Sequence, residues 1–142
     1  MDIRRLTDTY AVAPQIEPQD MAAIRAAGYT TIIDNRPDGE IPPHLHADPM
    51  RHAAEVAGLQ FVVNPVIGGA MTMDNVTAQG AAIAAATGPV LAYCASGNRS
   101  SQVWALSMAG RMPADDLIGL AARHGYQLEA LRGQIDALAA KG

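Results

Sequence analysis

Hydrophobic and polar positions along the chain predict strands and helices in turn. Apolar or β-branched runs at residues 29–34, 59–66 and 89–93 predict buried strands, and looser alternation over 3–13 predicts one or two more. Apolar positions at helical spacing, bounded by Gly and Pro, predict the helices. We place these at about 21–27, 48–57, 73–86, from the loop after residue 94 to 109, 113–124 and 128–140.

This alternation predicts a single α/β domain over residues 1–142, with a short, mostly parallel sheet flanked by helices. Right-handed crossovers place the carboxyl ends of parallel strands at one edge of the sheet. Polar loops leave three of those ends, at residues 35–40, 67–71 and 94–100. We therefore expect these loops to meet at one crevice, where α/β proteins bind ligands.

Charge and composition exclude some classes of binding partner. The chain carries a net charge of −4 and no basic run, which argues against nucleic acid as a partner. It has no apolar run long enough to span a membrane and no secretory signal after Met1, so we expect no membrane partner. With one cysteine no internal disulfide can form, and we expect a cytoplasmic protein.

That cysteine, Cys94, marks the candidate active loop. It ends an apolar run, precedes a polar loop containing Gly97, and lies five positions before Arg99. A loop of this kind at a helix N-terminus turns backbone N–H groups inward and binds anions. A lone cysteine is more often a buried small hydrophobe, but the polar loop predicts an accessible, reactive thiolate. The anion-binding candidates in the loop are Ala95, Ser96, Gly97, Asn98 and Ser100.

Neighbouring loops supply further candidates. Asn35 and Arg36 follow the predicted strand 29–34 and should lie at the mouth. Arg36 either binds an anionic substrate or pairs with Asp34 or Asp38. Ser100 either donates to the thiolate or caps the following helix. The spacing of the histidines at 44, 46 and 52 matches no metal-ligand pattern, so we expect no metal and no cofactor.

Three segments together carry a family resemblance: Ile-Asp-Asn-Arg-Pro-Asp-Gly-Glu at 33–40, Asn-Pro-Val-Ile-Gly-Gly-Ala-Met-Thr at 64–72, and Tyr-Cys-Ala-Ser-Gly-Asn-Arg-Ser at 93–100. The series is similar to the phosphatase-like domain of beta-lactamase hydrolase-like proteins and extends from about residue 3 to 131. It implies a cysteine-phosphatase fold with the active loop between the central strand and a helix. Members of this family are also labelled sulfur transferases, and the loop alone resembles that of rhodaneses. Lactamase activity gains little support, because no zinc-binding histidine cluster is present.

Two features favour sulfur over phosphate chemistry. Four residues separate Cys94 from Arg99, whereas the cysteine phosphatases that this fold resembles have five, so the anion cradle is smaller. A phosphatase also needs a general acid, and residues 64–69 contain no carboxylate, leaving only Asp34 and Asp38 as possible acids. We therefore predict a rhodanese-like sulfurtransferase that carries a persulfide on Cys94. Its donor would be thiosulfate or glutathione persulfide, and its acceptor a thiol.

Two alternatives stay open. In the first, the chain is a protein-tyrosine or dual-specificity-like phosphatase, in which Cys94 attacks a phosphorylated substrate and Arg99 binds the phosphate. In the second, it is a non-catalytic module that senses redox state or persulfide through modification of Cys94.

Overall fold

A computed structural model describes residues 1–141 and contains a five-stranded mixed sheet. Its strands are β1 (Arg4–Arg5), β2 (Tyr10–Ala13), β3 (Thr31–Asp34), β4 (Gln60–Val63) and β5 (Val90–Tyr93). They lie in the order β1-β2-β5-β3-β4, with β1 antiparallel to β2 and the other pairs parallel. The predicted α/β fold class is confirmed, and β5, which leads into the cysteine loop, is the central strand.

Helices cover both faces of this sheet. They are α1 (Met21–Ala26), α2 (Ala47–Val56), α3 (Met73–Ala85), α4 (Asn98–Ser107), α5 (Ala114–Ala122) and α6 (Arg132–Lys141). One apolar cluster joins the sheet to α1 and α2, and a second joins it to α3, α4, α5 and α6. No helix within residues 1–141 is both long and apolar enough to cross a membrane.

Several elements are shorter than predicted, and the structure gives the reason for two of them. β4 ends at Val63 rather than continuing to residue 66. The Asn64 side chain instead donates to Asn75 and Gln79 of α3, and Pro65 has no N–H to donate to a neighbouring strand. The last helix begins at Arg132, because the residues before it, Glu129–Leu131, form a 3₁₀ turn.

The strand register brings the loops together. Tyr93 lies opposite Asp34 on one side and Ala13 on the other, so β2, β3 and β5 end at the same level. The ladder continues for one more step, as Asn35 N–H donates to the Tyr93 carbonyl and Cys94 N–H donates to the Ala13 carbonyl. The segments after these strands therefore emerge side by side at one edge of the sheet.

Candidate active site

Cys94 lies directly below the N-terminus of α4. The backbone N–H of Gly97 donates to Cys94 Sγ at 3.2 Å, so the loop folds back over its own thiol. The thiol has no exposed surface, and the prediction that the polar loop leaves it accessible is wrong. The reason is that the loop closes tightly enough for its backbone to contact the sulfur. A substrate can reach Sγ only when part of this cover moves.

Gly97 fixes the shape of the loop. Its φ is +94°, in the left-handed region that glycine adopts without strain. A Cβ at this position would collide with the hydroxyl of Tyr126 and lie 3.0 Å from its Cζ. That hydroxyl donates to the Ser96 carbonyl at 2.8 Å and accepts from Arg4 Nη1 at 2.7 Å. Tyr126 and Arg4 therefore hold the loop from outside, and only glycine fits beneath them.

Arg99 is oriented by two other loops. Its Nη1 and Nη2 donate to the two carboxylate oxygens of Glu40, at 2.6 and 2.8 Å, and Nη1 also donates to the Val66 carbonyl at 2.8 Å. The hydrogen bonds to Glu40 are the main cause that raises the pKa of Arg99, with a smaller contribution from the neighbouring Cys94. The same bonds lower the pKa of Glu40, so the pair stays ionised at neutral pH. The 35–40 and 94–100 loops therefore meet here as predicted, and the third contact comes from Val66, one residue before the predicted loop 67–71.

Arg36 lies next to this pair. Its Nε contacts Glu40 at 3.2 Å and its Nη1 donates to Gln15 at 3.2 Å. Neither Asp34 nor Asp38 is the partner of its guanidinium, in contrast to one of our two hypotheses, because the turn at 38–40 brings Glu40 back over Arg36. Two cations thus lie on either side of one carboxylate, Glu40.

Buried amides support the loop from below. The Ser100 hydroxyl donates to Asn35 Oδ1 at 2.9 Å. We had expected it to donate to the thiolate or to cap α4, and it does neither. Asn35 Nδ2 donates to Gln79 on α3 and to the Asn64 carbonyl, and Gln79 Nε2 donates to the Tyr10 hydroxyl. Asn35 is therefore a buried support of the loop rather than a group exposed at the mouth.

The two carboxylates considered as acids have other surroundings. Asp38 is exposed and accepts from the N–H of Ala47 at the start of α2. Asp34 is buried, and this burial raises its pKa to about 6, although the N–H of Arg36 donates to its Oδ1 at 2.9 Å. Its Oδ2 has no hydrogen-bond partner among the described residues. Within residues 1–141, neither carboxylate hydrogen-bonds to the cysteine loop.

The other predicted loop residues contribute mainly their backbones. The Ala95 carbonyl accepts from Gln15 N–H, and the Ser96 hydroxyl accepts from Asn98 N–H at 3.3 Å. Sequence reasoning missed Glu40, Gln79 and Tyr126. The one available signal was for Glu40, since it belongs to the conspicuous run Arg-Pro-Asp-Gly-Glu. Nothing in the sequence pointed to the other two.

Sheet order, central cysteine loop and arginine at the helix N-terminus define a cysteine-phosphatase fold. The crystal structure of a candidate phosphatase from Neisseria meningitidis has the same fold, with a TM-score of 0.80 and 33% identity over 97% of this chain and 99% of that one. The fold also matches P. aeruginosa TpbA in complex with phosphotyrosine, with a TM-score of 0.68 and 16% identity over 98% of this chain and 88% of that one.

Family membership follows from two further findings. Residues 2–111 match the phosphatase-like domain of beta-lactamase hydrolase-like proteins. The chain is also 36% identical over 130 residues to a beta-lactamase hydrolase-like protein of Xylella fastidiosa, covering 90% of this chain and 30% of that protein. The chain belongs to this phosphatase-like domain family, which confirms the resemblance, and it spans about a third of the length of such relatives. These findings favour our phosphatase alternative over the sulfur-transfer prediction.

We expect Gly97→Ala to lower the free energy of unfolding by at least about 2 kcal/mol. An L-residue at this φ costs about 1–2 kcal/mol, and the clash with Tyr126 adds to it. Urea denaturation measures the loss. Gly39→Ala is the control, because nothing lies within 4 Å of its Cβ position, and it should change stability by less than about 0.5 kcal/mol. Equal effects at both glycines would contradict this account of the loop.

The buried Asp34 should make stability depend on pH. The folded protein holds the Asp34 proton up to about pH 6, whereas the unfolded chain releases it near pH 4, so the Asp34 contribution to the unfolding free energy should fall as pH rises between these values. The fall attributable to Asp34 is about 2–3 kcal/mol. In Asp34→Asn it should be absent, as measured by urea denaturation from pH 4 to 7. The exposed Asp8→Asn should retain the wild-type profile.

Proposed function

We propose that this domain hydrolyses phosphomonoesters through a covalent intermediate on Cys94. The observation that carries the proposal is the placement of a thiol and an oriented guanidinium at one helix N-terminus. Gly97 N–H contacts Sγ, and Glu40 fixes Arg99 beside it. Backbone N–H groups and a bidentate arginine are the groups that bind a phosphate dianion and its transition state. Family membership supports the same chemistry.

Arg99 keeps the donors that a phosphate needs. A guanidinium has five N–H donors, and three of them are used by Glu40 and the Val66 carbonyl. Within residues 1–141, the Nε–H and one Nη2–H make no hydrogen bond, and they lie on the same edge of the group. Glu40 therefore occupies the Nη1/Nη2 edge of the guanidinium, and the Nε/Nη2 edge is left to bind two oxygens of the substrate phosphate.

The reaction has two steps. The Cys94 thiolate attacks phosphorus, an S–P bond forms, and the ester P–O bond breaks as the alkoxide or aryloxide leaves and takes up a proton. Water then attacks phosphorus, the S–P bond breaks, and inorganic phosphate and the thiolate are released. Within residues 1–141, Asp34 hydrogen-bonds to the Arg36 N–H and Asp38 to the Ala47 N–H, and neither hydrogen-bonds to the cysteine loop. Without a general acid to protonate the leaving group, aryl esters should react much faster than alkyl esters.

The central test is hydrolysis of an aryl phosphate. Cys94→Ser should abolish turnover, and Arg99→Ala should lower kcat/KM by about 10²- to 10³-fold, because it removes the main charge that stabilises the transition state. Arg132→Ala is the control, since Arg132 pairs with Glu129 and Asp115 on the surface, and it should leave the rate unchanged. Turnover that persists in Cys94→Ser would overturn the proposal.

The Glu40 contact predicts a separate effect. Glu40→Gln replaces one acceptor oxygen by an NH₂ group, so Arg99 loses its bidentate partner and its orientation. We expect KM for the aryl phosphate to rise about tenfold, with a smaller change in kcat, in steady-state kinetics. Glu129→Gln removes a comparable surface pair with Arg132 and should have no effect. A lower KM in Glu40→Gln would mean that Glu40 competes with substrate instead of positioning Arg99.

Sulfur transfer is the second candidate, and the four-residue spacing between Cys94 and Arg99 favours it. In this reaction the thiolate attacks the outer sulfur of thiosulfate, an S–S bond forms and sulfite leaves; an acceptor thiolate then takes the outer sulfur. Intact mass spectrometry separates the two candidates. A phosphoryl group gained from the aryl phosphate supports hydrolysis. A single sulfur gained from thiosulfate or glutathione persulfide, without phosphate turnover, supports transfer.

A further inference from the structure

A cavity of about 520 Å³ opens beside Arg99, and we call it the side groove. It lies between residues 66–73, Val76 of α3, one face of α4 from Arg99 to Leu106, and α6 with the turn before it. This volume is within the range of pockets that bind small molecules. The side groove does not include Cys94, so the proposed reaction alone gives it no role. Its apolar walls come mainly from Met71, Val76, Leu106, Leu131 and Leu138.

Charge in the side groove is confined to one end. Of the lining side chains among residues 1–141, Arg99 alone is charged, and the polar ones, such as Gln102 and Gln134, are neutral. The carboxylate that pairs with Arg99, Glu40, is not part of the lining. A complementary ligand therefore has one anionic group and an otherwise apolar body.

The side groove continues from the anion site. Arg99, Gln102 and Leu106 line it at positions i, i+3 and i+7 of α4, which share one face of the helix. The distance along this face is about 10 Å, the reach of a medium-length alkyl chain or an aryl group. A phosphate bound at Arg99 would thus direct its ester group along α4 toward Leu131 and Leu138. The flexible side chains of Met71 and Met73 suit a wall that adapts to apolar ligands.

We propose that the side groove binds the apolar part of the substrate, and that this domain selects amphipathic phosphomonoesters, with an alkyl, acyl or aryl group of medium length, over small polar ones. The inference rests on the proposed function, because it places the phosphate at Arg99. It specifies a small amphipathic anion rather than a peptide or a second copy of the chain.

Binding of non-hydrolysable phosphonates tests this without turnover. Isothermal titration calorimetry would compare octylphosphonate, below its micelle concentration, with ethylphosphonate. Octylphosphonate should bind at least tenfold more tightly, because its additional methylene groups are transferred from water into the apolar side groove. Arg99→Ala should weaken both ligands. Equal affinities of the two ligands for the wild-type protein would overturn the inference, even if aryl phosphates are hydrolysed.

Variants locate the binding. Ala137→Phe places a ring in the groove from an exposed position of α6, and should reduce the tenfold preference to less than about twofold. Ala81→Phe, on an exposed position of α3 away from the groove, is the matched control and should retain it. Met73→Glu, at an exposed position in the wall, is a second variant and should weaken octylphosphonate by charge repulsion.

Two results would assign the groove differently. A preference for octylphosphonate that survives both Ala137→Phe and Met73→Glu would mean that the octyl group binds outside the side groove, and would overturn the inference. Concentration-dependent dimerisation that Ala137→Phe abolishes, in sedimentation velocity, would assign the groove to a second copy and also overturn it. Chain-length preference without any phosphate turnover would instead retain the groove and refute the proposed hydrolysis.

Discussion

Buried polar groups must find hydrogen-bond partners, and the candidate site depends on this constraint. Asn35 leaves the end of β3 in a fully buried position, and it is satisfied by Ser100 of α4, Gln79 of α3 and the Asn64 carbonyl. These contacts join the segment after one strand to the helix after another. The relative position of the loops is therefore set beneath the surface, by buried side chains that each hydrogen-bond to more than one partner.

Above this support, the site combines a covered nucleophile with a charged rim. Gly97 closes over Cys94, and Tyr126 holds the closed form from the side. Glu40 joins Arg36 to Arg99 and so prevents the two cations from facing each other unscreened. Ligand access and charge arrangement are thus separate properties here: the loop backbone governs the first, and side chains from the 35–40 loop govern the second.

The fold was predictable from the sequence because its signals are local. Period-two and period-3.6 patterns gave the strands and helices, and the apolar run before Cys94 located the central strand. The run at 36–40 drew attention to Glu40, but which residues contact the loop was not predictable, because Glu40 contacts Arg99 from 59 positions away and Tyr126 contacts Ser96 from 30 positions away. No spacing rule encodes such contacts. The burial of Cys94 was missed for a related reason, since polar side chains in the loop do not reveal that its backbone packs over the sulfur.

The charged rim has a consequence for how anions approach. The whole chain carries a net charge of −4, whereas the guanidinium groups of Arg36 and Arg99 present N–H donors side by side at the rim. An anion is therefore repelled at long range and attracted only within the last few ångströms. Dissolved salt screens beyond about 10 Å at 0.1 M, so it weakens the distant repulsion more than the close attraction. Moderate ionic strength should accordingly speed the capture of anions by this domain, the reverse of the behaviour of proteins that steer their ligands by an opposite overall charge.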